Sequence, residues 1–84
     1  MKIKILGTGC ARCKQLYAEA EKAIASSGMN VALEKVEKID DIRKYPILMT
    51  PALVLDEKVK AAGRIPSAAE IVSWITTAAG VDAR

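Results

Sequence analysis

The sequence predicts an α/β fold, a small four-stranded mixed sheet flanked by three helices in the order β-α-β-α-β-β-α. Three observations carry that prediction. An alternating segment, Lys2 to Leu6, passes through Gly7-Thr8-Gly9 into a long stretch with helical apolar spacing. Two short apolar runs, Ala52 to Leu55 and Lys58 to Ala61, are separated by two residues, the length of a tight hairpin. Ser67-Ala68-Ala69-Glu70 is a capping box that opens a last amphipathic stretch. A chain of 84 residues makes one domain, 1–84, without room for a second core.

Each element follows from local chemistry. Lys2 to Leu6 reads as a strand with Ile3 and Ile5 on one face, ended by Gly7 and Gly9. Over Ala11 to Ser27, the residues Cys13, Leu16, Tyr17, Ala20, Ala23, Ile24 and Ser27 recur at helical spacing. Lys14, Glu19, Glu21 and Lys22 fall mainly on the other side, and Gly28 suits the position just past a helix end. Val31 to Val36 is aliphatic and β-branched, with Glu34 and Lys35 marking it as an edge strand. Ile39 to Tyr45 predicts a short helix with Ile39 and Ile42 facing inward. Asp40 and Asp41 lie at its positive end, and Pro46 stops it. Asp56-Glu57 is the hairpin turn, of a type the sequence leaves open. Ile71, Trp74, Ile75 and Ala78 form the inward stripe of the last helix, which Gly80 ends. Trp74, Met29 and Met49 read as core, and Tyr17 as packed on the sheet. A crossover between the first two strands, if they are parallel, is expected to be right-handed.

Composition narrows the function classes. A net charge of +3 from 13 basic and 10 acidic residues is mild, and the basic residues are scattered. With one Trp, two Tyr and no Phe there are few stacking platforms, so nucleic acid is not an expected partner. No apolar run reaches membrane-spanning length. Lysines interrupt the apolar residues of the N-terminus, which gives no secretory signature. Two cysteines cannot frame a disulfide-rich secreted domain. The expected compartment is the reducing cytoplasm, where a close cysteine pair is catalytic or metal-binding more often than structural.

That pair, Cys10-Ala11-Arg12-Cys13, concentrates the chemistry. Cys13 shares the buried stripe with Leu16, Tyr17 and Ala20, whereas Cys10 stands where an N-cap would be. Free N–H groups and the helix dipole at that point favour thiolate over thiol. Cys10 is therefore the candidate nucleophile and Cys13 the resolving thiol. Arg12 and Lys14 add positive charge nearby.

The chain resembles the thioredoxin superfamily, and within it the small archaeal and bacterial glutaredoxin-like, redox-active disulfide proteins. Gly7-Thr8-Gly9-Cys10-Ala11-Arg12-Cys13, Met49-Thr50-Pro51 and Gly63-Arg64 carry the resemblance, which spans essentially the whole chain. It implies a thioredoxin-like fold and a thiol–disulfide oxidoreductase that uses Cys10 and Cys13 as its redox-active disulfide, with no other cofactor and no metal. It implies a cis Thr50-Pro51 bond beside the disulfide, with Thr50 and Pro51 offering backbone to a bound substrate chain. It places Arg64 near the cysteines, as a residue to attract an acidic partner or steady a thiolate. The implied partners are disulfide-containing proteins and a reductase or other thiol electron donor. The chain departs from the best-known members: Gly9 stands at their tryptophan position, Ala11-Arg12 fills the dipeptide, and Lys2 to Leu6 holds no acidic residue.

A second reading uses the same motif. Copper-chaperone domains carry Cys-x-x-Cys after their first strand, and soft thiolates suit Cu(I). Against it, the lead-in lacks their methionine, the chain ends in a helix where they end in a strand, and Thr50-Pro51 has no role there. Structural zinc within one chain lacks ligands, since there is no histidine.

Overall fold

The computed structural model describes residues 1–80; residues 81–84, the end of the expected 1–84 domain, lie outside the described residues. The elements are β1 (Lys2–Leu6), α1 (Ala11–Ser27), β2 (Ala32–Val36), α2 (Ile39–Ile42), β3 (Ala52–Leu55), β4 (Lys58–Ala62) and α3 (Ala68–Ala78). The sheet runs β2-β1-β3-β4, with β1 and β2 parallel and the other pairs antiparallel. This is the predicted mixed sheet of four strands and three helices, and β2 is an edge, as Glu34 and Lys35 suggested.

The strand period divides the core in two. Ile3, Ile5, Leu53 and Leu55 point to one face, where Leu16, Ala20 and Ala23 of α1 meet Ile71 and Ile75 of α3. Leu6, Val36, Ala52 and Val54 point to the other and are covered by Ile42, Tyr45 and Ile47. Complete burial of each such Leu or Ile is worth roughly 1.5–3 kcal/mol. No buried side-chain nitrogen or oxygen among the described residues lacks a partner.

Several expectations need correction. The second helix closes after one turn, at Ile42 rather than Tyr45, and Ile39 is 55% exposed rather than inward. One turn offers the sheet a single position, and Ile42 takes it. Ala78 is exposed and Trp74 only half-buried, because the stripe of α3 that reaches α1 is narrow and centres on Ile71 and Ile75. Met49 is 60% exposed instead of core, whereas Met29 packs against the core as expected.

The hairpin turn resolves as the primed type, with Asp56 at φ 47° and Glu57 at φ 68°. Left-handed backbone in a non-glycine residue costs roughly 1–2 kcal/mol. Contacts to β1 offset it. Asp56 Oδ1 accepts from Lys2 N at 2.9 Å, and Asp56 N donates to Lys2 O at 2.9 Å. Glu57 accepts from Lys4 Nζ at 2.7 Å and from the Tyr45 hydroxyl at 3.2 Å. A bulge between Leu53 and Val54 on the β3–β4 ladder leaves Lys60 without an opposite residue and blunts that sheet edge.

Candidate active site

The parallel ladder runs one residue past β1: Gly7 N donates to Val36 O at 3.0 Å. The chain then turns through Gly9, at φ +88°, and delivers Cys10 to the N-cap of α1 in extended backbone (φ −70°, ψ 167°). Cys10 Sγ accepts from Cys13 N at 3.3 Å, so a sulfur takes the place of the usual capping oxygen. Its carbonyl begins the helical ladder, accepting from Lys14 N at 3.1 Å.

Helix phase gives the two sulfurs different surroundings. Cys10 is exposed and Cys13 is 6% exposed, yet their Sγ atoms are 2.6 Å apart, within easy reach of the bonded length of about 2.05 Å. The Cys10 thiol is pulled below its ordinary value, first by the hydrogen bond from the Cys13 thiol and then by the Cys13 backbone N–H. The Cys13 thiol is pushed up, first by burial and then by its neighbour Cys10. An exposed acidic sulfur beside a buried protonated one can open a disulfide and then displace what it captured.

Gly7 is the site residue that the sequence reading undervalued. A Cβ there would collide with Cys13 Sγ and come within 3.3 Å of Cys13 Cβ. Its role is to let a sulfur lie against the backbone, and turn geometry does not require it. A glycine at a strand exit, three residues before a cysteine, was the available signal.

Thr50-Pro51 is a cis bond, with Pro51 buried next to Gly7 and Thr50 exposed. Pro51 O accepts from Gly63 N at 2.9 Å, which extends the β3–β4 ladder toward the cysteines. Gly63, at φ +75°, lies against Met49, and its carbonyl accepts from Arg12 Nη2 at 3.1 Å. Arg12 thus straps the start of α1 to the β4–α3 loop. Arg64 is occupied elsewhere: its guanidinium pairs with Glu70 at 3.2 Å and lies 5.9 Å from the Trp74 ring centre. Beside this end, Leu48 is fully exposed and Met49 largely so.

A cleft of about 120 Å³ opens beside Cys13, lined by Ile5, Gly7, Gly9, Cys13, Lys14, Lys35 and Glu37. Lys35 Nζ is anchored 4.7 Å over the Tyr17 ring, and a Cβ on Gly9 would stand 3.1 Å from Glu37 Oε2. Among the described residues, no group of three or more His, Cys, Asp or Glu side chains gathers in a way that could hold a metal ion. No helix among them is long and apolar enough to cross a membrane.

Comparison with known proteins places these features among relatives. A family model described as a thioredoxin domain matches residues 1–76. Thioredoxin from Methanothermobacter thermautotrophicus is 38% identical over 71 residues, covering 84% of this chain and 92% of that protein. Thioredoxin from Methanocaldococcus jannaschii is 35% identical over 69 residues, covering 82% of this chain and 79% of that protein.

Proposed function

The chain belongs to the thioredoxin family, and from that premise we propose that it reduces protein disulfides through the Cys10–Cys13 dithiol. Cys10 thiolate attacks one sulfur of the substrate disulfide. The Cys10–substrate bond forms and the first substrate thiolate leaves. Cys13, as thiolate, then attacks Cys10 Sγ. The Cys10–Cys13 disulfide forms, the Cys10–substrate bond breaks, and the second substrate thiolate leaves. Two electrons pass from the protein dithiol to the substrate, and a thiol donor or reductase restores the dithiol.

The observation that carries this reading is the unequal pair: an exposed Cys10, acidified at a helix N-cap, in contact with a buried Cys13. Thr50 and Pro51 serve as the backbone ledge for the substrate chain, which lies alongside as an added strand. Arg12 shapes the rim through Gly63, and Arg64 contributes at longer range. The Cys10–Cys13 disulfide serves as the redox group, with no further cofactor, and the cytoplasm is the setting that keeps it reduced.

The test is reduction of a protein disulfide such as that of insulin, with dithiothreitol as donor, with and without Cu(I). Turnover that disappears in Cys10→Ser is the expected result. Tight Cu(I) capture without any exchange would replace this reading with that of a soft-metal carrier.

A further inference from the structure

The oxidised protein offers a reductant two sulfurs, and their surroundings differ. Cys10 is open to solvent at the helix entrance. Cys13 is buried, yet it lines the cleft of about 120 Å³, and Cys10 is not among the residues lining it. Attack on either sulfur expels the other. A thiol of lower pKa leaves faster, and Cys10 is the more acidic of the two. Cys13 N, 3.3 Å from Cys10 Sγ, is placed to donate to that sulfur as it leaves. Leaving-group chemistry therefore favours attack on Cys13, and the cleft supplies the access that burial otherwise denies.

The cleft also limits what can enter. It holds the volume of about four waters, at roughly 30 Å³ each, which suits a thiol of a few heavy atoms and excludes a protein loop. Gly7 and Gly9 keep it open, since a side chain on either would meet Cys13 or the Glu37 carboxylate. Lys14 and Lys35 line it against the single carboxylate of Glu37, so the lining favours a negative charge. Lys35 Nζ is steadied over the Tyr17 ring and keeps its N–H donors.

We propose that this cleft is a second entrance to the disulfide, taking a small thiol with an acidic group that Lys14 and Lys35 hold while its sulfur attacks Cys13. The inference rests on the oxidoreductase reading above and assigns the regenerating donor to a class. In balance, the donor thiolate bonds to Cys13 Sγ, the Cys10–Cys13 bond breaks, and Cys10 leaves as thiolate. A second donor thiolate attacks the donor sulfur of this mixed disulfide. The donor disulfide forms and Cys13 leaves, taking a proton from water. Two donor thiols are oxidised to one disulfide, and the protein disulfide is reduced to the dithiol. Large substrates thus meet Cys10 at the open rim, and the small donor meets Cys13 from the cleft.

The experiment mixes oxidised protein at low ionic strength with 3-mercaptopropionate or with neutral 2-mercaptoethanol. Samples are quenched in acid, alkylated with a maleimide and mapped by mass spectrometry. Comparing each variant with the unsubstituted protein for the same thiol cancels the thiols' intrinsic reactivities. Lys14→Gln combined with Lys35→Gln is expected to slow reduction by 3-mercaptopropionate about tenfold, and to leave 2-mercaptoethanol within about twofold. The difference should shrink with added salt, because these side chains are exposed. Glu37→Gln should speed the anionic thiol alone. Lys44→Gln, which removes a lysine paired with Asp41 away from this cleft, should change neither. The trapped intermediate should carry mercaptopropionate on Cys13 and maleimide on Cys10. Equal slowing of both thiols in the double lysine variant, no slowing of either, or mercaptopropionate found on Cys10, overturns the inference. If dithiothreitol still reduces the Cys10–Cys13 disulfide, the oxidoreductase reading survives that result. An oxidised protein without a disulfide that dithiothreitol can reduce overturns both.

Discussion

Where β1 begins, charged groups hold one another. Lys2 pairs with Glu34, and Lys4 is held between Glu57 and the Tyr45 hydroxyl with its pKa raised by those partners. The hairpin turn is tied to β1 through Asp56. Where β1 ends, the molecule leaves things open. Gly7 and Gly9 withhold side chains, two thiols face each other, and Leu48 and Met49 stand in solvent. The difference shows how one strand serves two purposes. Charge-assisted contacts at one end offset a turn with two left-handed residues. Missing side chains at the other let a sulfur lie on the backbone, with an exposed apolar rim beside it. Exposed apolar residues rimming a reactive group are typical of a surface that meets a partner.

The sharpest way to set the ends against each other is to remove the reactive atom. Cys10→Ser is expected to reduce exchange to background, while stability by urea denaturation changes by less than about 1 kcal/mol, because serine is itself a good N-cap. A large loss of stability would mean that the open end is structural after all. Next comes the space. Gly7→Ala is expected to cost about 1–3 kcal/mol through overpacking against Cys13, read as a lowered urea midpoint. Gly28, at φ +68° with nothing within 4 Å of an added Cβ, isolates backbone strain without crowding. Equal costs in Gly28→Ala and Gly7→Ala, with Cys13 reactivity unaltered in the latter, would break the claim that Gly7 exists for contact.

Cys13→Ala should raise the pH midpoint of Cys10 alkylation, because the Cys13 thiol is the first cause of Cys10's acidity. A midpoint that stays put would assign the acidity to the helix end alone. The smallest effect belongs to the closed end. Lys4 holds the Glu57 carboxyl below its ordinary value. Its contribution to stability is therefore complete above the unfolded carboxylate pKa of about 4.3, and is lost as pH falls through the lower folded value. Urea midpoints of the unsubstituted protein and Glu57→Gln should differ at about pH 6 and converge in strong acid. A constant gap would show that the contact is not ionic.

Much of the site was legible because it is local. Helix phase alone places Cys10 at the entrance and Cys13 in the buried stripe, and the structure gives them unequal exposure. Gly7 was legible only as a turn residue, since its partner is a sulfur six residues away on another element. Glu37 carried no signal, because nothing in Val36-Glu37-Lys38 reveals that it shares a cleft with Cys13. Arg64 could be placed near the cysteine end, but not its engagement with Glu70 and Trp74.

By itself the sequence determined the order of elements, the mixed sheet, the capped helix starts and the asymmetry of the cysteine pair. Those features follow from periodicities of two and 3.6 residues and from capping chemistry, which act within a few residues. Tertiary structure alone decided that α2 ends after one turn, that Ile39, Ala78 and Met49 face solvent, and that Asp56-Glu57 adopts a primed turn against Lys2 and Lys4. It also decided that Cys13, Lys14, Lys35 and Glu37 line one cleft. Each of these depends on which surface arrives opposite a residue, and neighbours along the chain do not specify that.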